Sequence, residues 1–157
     1  MSLQTWELLS YMVTVVGLPL AIFVFLFEQR KERENEEEEV YQLLSDNYQD
    51  FLKVALANPD LRLFSAEASS TRLNAEQEER QLIIFTMLMS LFERAYLLLY
   101  EERMTPRQAR RWNSWKDYMQ EWCNRPDFRD GLPRLLRGED PSFVQYVERL
   151  ASSPGDA

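Results

Sequence analysis

The sequence predicts an all-α protein in which an N-terminal single transmembrane helix continues into a stalk and then a cytoplasmic helical bundle of about four helices. Three observations carry that prediction. Residues 8 to 27, LLSYMVTVVGLPLAIFVFLF, run for twenty residues without a charge between Glu7 and Glu28. Alternating apolar and polar residues between glycine-rich turns, the mark of strands, are absent, while Leu, Glu, Arg, Gln and Met abound. Beyond residue 40, apolar residues recur at three- and four-residue steps.

The first stretch has the length of a membrane span. A bilayer core is about 30 Å thick and a helix rises about 1.5 Å per residue, so about twenty apolar residues cross it. A cleavable signal would need a basic start and a small-residue cleavage site, and MSLQTWELLS has no Lys or Arg. The expectation is an uncleaved anchor, with residues 1–7 outside and Trp6 and Tyr11 at the outer interface. Arg30, Lys31 and Arg33 follow the span, and the positive-inside rule then puts the C-terminal part in the cytoplasm. Gly17, Pro19 and Phe23 are the candidate packing or pore residues of the span. Gly17 and Pro19 read either as a tolerated kink or as a point where copies approach closely around an axis.

Residues 28–39, EQRKERENEEEE, are charged and helix-favouring and would continue the span as an exposed stalk. Glu28, Glu32, Glu36 and Glu39 form a solvated face or, if copies stood in a ring, an acidic vestibule that favours cations. Val40, Leu44, Tyr48, Phe51, Leu52 and Ala55 then mark an amphipathic helix that Asn58-Pro59 stops. Leu61, Leu63 and Phe64 fold back on the bundle. Asn74 with Gln77 is a capping-box start for a helix over residues 75 to 103. That helix reads as the central one, apolar nearly all round because neighbours surround it; a second membrane helix is the alternative. Within it Glu93 and Arg94 are expected as a buried ion pair.

Thr105-Pro106-Arg107-Gln108 starts the next helix, whose Trp112, Trp115, Met119 and Trp122 form a core stripe. Arg125-Pro126 ends it, a short segment passes through Phe128, Gly131 and Pro133, and Asp140-Pro141 caps a last helix. Phe143, Val144, Val147 and Leu150 point inward on it. The bundle covers residues 40–152, and 153–157 are expected to be disordered.

Charge and composition restrict the chemistry. The chain carries a net charge of −8, one cysteine (Cys123) and no histidine. Without histidine the commonest general base and metal ligand are missing, and one cysteine excludes an internal disulfide framework. No Gly-rich phosphate loop, metal-ligand spacing or activated nucleophile appears, so no catalytic residue, metal or cofactor is expected, and not an enzyme. Against the acidic balance, residues 103–137 hold nine Arg or Lys and four Asp or Glu. Arg107, Arg110, Arg111 and Lys116 are its candidate partner surface, suited to pairing within or between subunits, to anionic headgroups, or to RNA.

The order GLPLAIFVFLFEQRKER, NYQDFLKVALANPDLRLF, LFERAYLLLY and WNSWKDYMQEW resembles a widespread group of small bacterial membrane proteins. In layout it is similar to the membrane accessory protein of type VI-B CRISPR systems, a membrane helix joined to a domain related to the HEPN fold. The resemblance implies a homo-oligomeric ring forming a pore in the bacterial inner membrane, in antiviral defence, without ribonuclease activity because the HEPN histidine is missing. Arg94 has Tyr100 six residues later and no substitute base. The leading expectation is thus a pore. Its rival is a tethered module that recruits a cytoplasmic defence protein or RNA.

Overall fold

The computed structural model describes the backbone of residues 3–65 and 72–152 and the side chains of residues 15–65 and 72–152. Five α-helices and a 3-10 turn follow in order: α1 (Leu3–Ala57), the turn (Pro59–Leu61), α2 (Ala75–Leu99), α3 (Pro106–Asn124), α4 (Pro126–Leu135) and α5 (Pro141–Ser152). No strand occurs among the described residues, so the chain is all-α, as its composition predicts. The expected tail at 153–157 lies outside the described residues, as do the side chains of residues 1–7. Contacts divide the chain into two units, Met1–Val40 and Tyr41–Ala157.

In the first unit the apolar and charged stretches form helix without interruption, with Pro19 inside it. Every residue from Glu28 to Glu39 is exposed. A Cβ on Gly17 would meet nothing within 4 Å, so nothing within the chain uses the space that glycine leaves.

The second unit takes in the end of α1, which buries Leu44, Phe51 and Ala55 at helical spacing. Asn58 closes α1, its side-chain amide donating to the Val54 carbonyl at 2.9 Å, and Pro59 opens the 3-10 turn. Arg80 on α2 holds that turn by donating to Asp60 Oδ2 at 2.6 Å and Asn58 Oδ1 at 2.9 Å. Leu61 and Leu63 are buried, whereas Phe64 is exposed and meets the edge of Trp122.

Two capping boxes start α2 and α3. The Asn74 side chain accepts from the Gln77 N–H and the Gln77 side chain accepts from the Asn74 N–H; Thr105 and Gln108 repeat the exchange. Each satisfies backbone donors that the first turn leaves without partners. α2 ends at Leu99, four residues before the predicted end. Tyr100 turns extended there, its ring stacking on Tyr96 at 4.8 Å and reaching Trp112 at 5.2 Å. Aromatic packing outweighs the helix propensity of the residues that follow.

The segment through Phe128, Gly131 and Pro133 is a helix rather than a connection. Arg125 caps both α3 and α4, Pro126 takes the first helical position, and Phe128, Leu132 and Leu135 are buried one turn apart. Pro133 lies inside α4 and forgoes the hydrogen bond its N–H would have made to the Arg129 carbonyl. Gly138, at φ +90°, turns the chain into α5, and the Asp140 carboxylate accepts from the Ser142 and Phe143 N–H groups. Phe143, Val147 and Leu150 are buried on α5, with Val144 half-buried.

Trp122 stands at the centre of the core. Its ring lies 5.3 to 5.9 Å from those of Phe51, Phe64, Phe85 and Phe128. Such ring pairs contribute about 0.5–1.5 kcal/mol each beyond the area they bury. Arg125 binds the elements together: its guanidinium grips Asp127 at 2.7 and 3.1 Å and donates to the Leu63 carbonyl, while Gln81 on α2 donates to the same Asp127.

The central helix is not surrounded. α3, α4 and α5 pack against α2, but Ile83, Met87, Leu97 and Leu98 remain exposed. Its neighbours cover one side only. Among the described residues α2 is the one helix long and apolar enough to cross a membrane, with mean hydropathy 1.8, and 44% of that window is buried. A core helix meets the same criterion of length and composition.

Candidate functional site

Two features stand out once the core is accounted for: an apolar helix with no covering, and a basic helix whose cations face different neighbours. The first is residues 15–27. Ten large apolar side chains there are exposed, from Val24 at 46% to Val15 at 69%, Phe23 among them. Consecutive helical residues turn by about 100°, so thirteen in a row point in every direction. Gly17 is half-buried and Pro19 exposed. Glu28, Glu32, Glu36 and Glu39 are exposed below them along one helix face.

The second feature is α3. Trp112, Trp115, Met119 and Trp122 take its inner face, which leaves the cations to its flanks. Arg107, Arg110 and Lys116 are exposed and Arg111 is half-buried. The four do not share one surface. Arg111 lies over the Tyr41 ring, 4.9 Å from its centroid, on the flank towards α1. Lys116 stands about 140° further round the helix, towards α5. There it lines an open groove of about 420 Å³ with Tyr100, Trp112, Asn113, Gln120, Tyr146 and Arg149. Two other members of the basic block have internal roles. Arg125 is part of the hub described above, and Arg129 donates to the Cys123 and Asn124 carbonyls at the end of α3.

Glu93 and Arg94 do not form the expected buried ion pair. Neighbouring residues on a helix diverge, and here Glu93 turns inward, half-buried, while Arg94 is exposed beside Asn47 and Asp50. Glu93 Oε1 accepts from the Asp140 N–H at 2.5 Å, tying α2 to the start of α5. Its partner is another acid. Partial burial first, then a hydrogen bond to Glu93 and the charge there, push the Glu139 carboxyl up to about 7. Elsewhere, burial pushes the Cys123 thiol to about 11, so it is protonated at neutral pH and lacks the thiolate a nucleophile needs. No cluster of potential metal ligands occurs among the described residues.

Sequence reasoning missed the α5 half of the groove, Tyr146 and Arg149. They sit three apart on one helix face, a signal present in the sequence, but only the packing of α3 on α5 sets them opposite Lys116. No family model, curated protein or solved structure matches the chain.

Proposed function

We propose that the chain is a single-pass membrane protein whose helical bundle serves as a membrane-tethered binding module. The observation that carries this is the exposed apolar helix at residues 15–27. Burying one large apolar side chain is worth about 1.5–3 kcal/mol, so ten half-exposed ones represent on the order of 10 kcal/mol left in water. A protein partner on one side would cover only part of a helix that is apolar all round; lipid covers all of it. Arg30, Lys31 and Arg33 after the span support a cytoplasmic bundle through the positive-inside rule.

The tether is preferred to the pore for the same reason. Residues 15–27, the described part of the span, present mostly large apolar side chains and no polar one, which favours a lipid-covered anchor over a lumen lining. The second unit, by contrast, has a core of its own and surfaces with defined chemistry.

Liposome flotation, dye release and an anchor swap test the reading together. The protein is expected to float with liposomes, release no trapped dye, and keep floating when residues 8–27 are replaced by an unrelated apolar helix. Failure to float would remove the anchor. Dye release that the swap abolishes would replace the tether with the pore that the resemblance implies.

A further inference from the structure

Within the second unit, the end of α1 and the uncovered side of α2 form one face. Asn58 on α1 meets Arg80 on α2, and further back along α1 Asp50 shares a groove with Met87 and Arg94, so the two helices run antiparallel. The groove between them measures about 260 Å³. That is below the roughly 300–1,000 Å³ of small-molecule sites, so it suits side chains rather than a ligand. Leu43 stands two turns before Asp50 on the same side of α1, and Leu98 one turn beyond Arg94 on α2. Leu43, Met87 and Leu98 are each about half exposed.

The charges on this face are divided by helix. On α1 the exposed Asp46 and Asp50 share one cation: Lys53 bonds Asp50 at 2.8 Å, and the charge of Asp46 acts on it as well. Two acids and one lysine leave that lip negative. On α2 Arg94 is exposed and makes no ion pair among the described residues. A negative lip thus lies beside a positive one, with apolar side chains on both.

Such a face is complementary to itself. A half-turn about an axis running along the groove, in the plane of the face, lays α1 of one copy on α2 of the other. Every residue keeps its level, so Asp50 of each copy comes opposite Arg94 of the other, and Leu43 comes opposite Leu98. One surface then meets both charges twice. The same operation leaves Tyr41 of both copies at one end, as two chains tethered to one membrane require. Anionic headgroups, by contrast, would be repelled by the acidic lip.

We propose that this α1–α2 face binds a second copy of the chain in a two-fold dimer. From Ile83 to Leu98 the face is about 22 Å long, and it is two helices, about 20 Å, wide. That gives about 450 Å² per copy, the size of a weak and reversible contact. The inference goes beyond the tethering reading and does not depend on it.

The test is sedimentation of the full chain in density-matched neutral detergent. A mass of two chains is expected to form with a dissociation constant on the order of 10–100 µM. Leu98→Glu and Arg94→Glu should each weaken association about tenfold or more, and Asp50→Arg combined with Arg94→Glu should restore it to within about threefold. Circular dichroism at about 1 µM, where the chain is monomeric, should show unchanged thermal midpoints for all three proteins. A chain that stays monomeric at about 500 µM overturns the proposal. So does association that Leu98→Glu and Arg94→Glu leave intact, which would place the contact in the span. A charge swap that fails to restore association removes the pairing of Asp50 with Arg94, and with it the two-fold arrangement. Loss of flotation in Leu98→Glu would assign the face to lipid instead. Flotation also separates this inference from the tether: a chain that associates through the face without floating keeps the dimer and loses the anchor.

Discussion

Residues 15–27 and α2 are both apolar helix, yet the protein treats them in opposite ways. In α2 eight residues are buried, Ile84, Phe85, Leu88, Met89, Leu91, Phe92, Ala95 and Tyr96, on the side where α3, α4, α5 and the end of α1 meet it. In residues 15–27 none is buried. Apolar content alone does not say which of the two is covered, because it counts apolar side chains and ignores what they meet. The difference lies in the polar residues. α2 opens with a capping box and two acidic residues in its first turn, and it carries Glu93 inward to the α5 start. Residues 15–27 carry no such groups, so they have nothing with which to specify a protein neighbour.

The contrast can be broken most strongly in residues 15–27, the proposed anchor. Lysine at the centre of a spanning helix costs about 2.5–3.5 kcal/mol and less near its end, so Val16→Lys with Phe23→Lys should cost about 3–6 kcal/mol of insertion. The doubly substituted protein is expected to leave the floating fraction while the thermal transition of the second unit stays where it was. Continued flotation would show that residues 15–27 do not enter lipid.

Phe92→Ala attacks the buried face of α2 instead. Phe92 is 1% exposed and meets the edge of Trp115, and deleting such a ring typically costs about 3–5 kcal/mol. Urea unfolding should register that loss as a lower midpoint with flotation unaffected; an unchanged midpoint would deny α2 its place in the core.

A smaller effect is expected from the acid pair. The folded Glu139 carboxyl holds its proton up to about 7, above its ordinary value of 4.5. The folded state therefore binds the proton more tightly than the unfolded chain. The stabilisation is complete below about pH 4.5 and is lost as pH rises through about 7. Glu139→Gln, which cannot ionise, should flatten the thermal midpoint between those pH values and raise it relative to wild type at pH 8. Parallel pH profiles for the two proteins would remove the Glu93–Glu139 contact from the account.

The smallest effect belongs to the uncovered side of α2. Ile83→Lys should change stability by no more than about 0.5 kcal/mol and leave flotation intact, since Ile83 is exposed. Loss of flotation would mean that α2 also meets lipid.

By itself the sequence determined what depends on neighbours a few residues away. Both capping boxes span three residues, the stops at Asn58-Pro59 and Arg125-Pro126 are local backbone restrictions, and the inward stripes of α1, α3 and α5 follow helical period. The all-α class rests on these. Tertiary structure decided what depends on distant partners. Tyr100 ends α2 because its ring finds Trp112, and Phe128, Leu132 and Leu135 make a helix of a Gly- and Pro-containing segment because a core waits for them. Glu93 finds Asp140 across 47 positions, Arg125 reaches Leu63 across 62, and Gln120 meets Leu150 across 30. Local rules assign each residue to a face of its helix; only packing decides which other residue stands opposite, and that choice built the groove of Lys116 and Arg149.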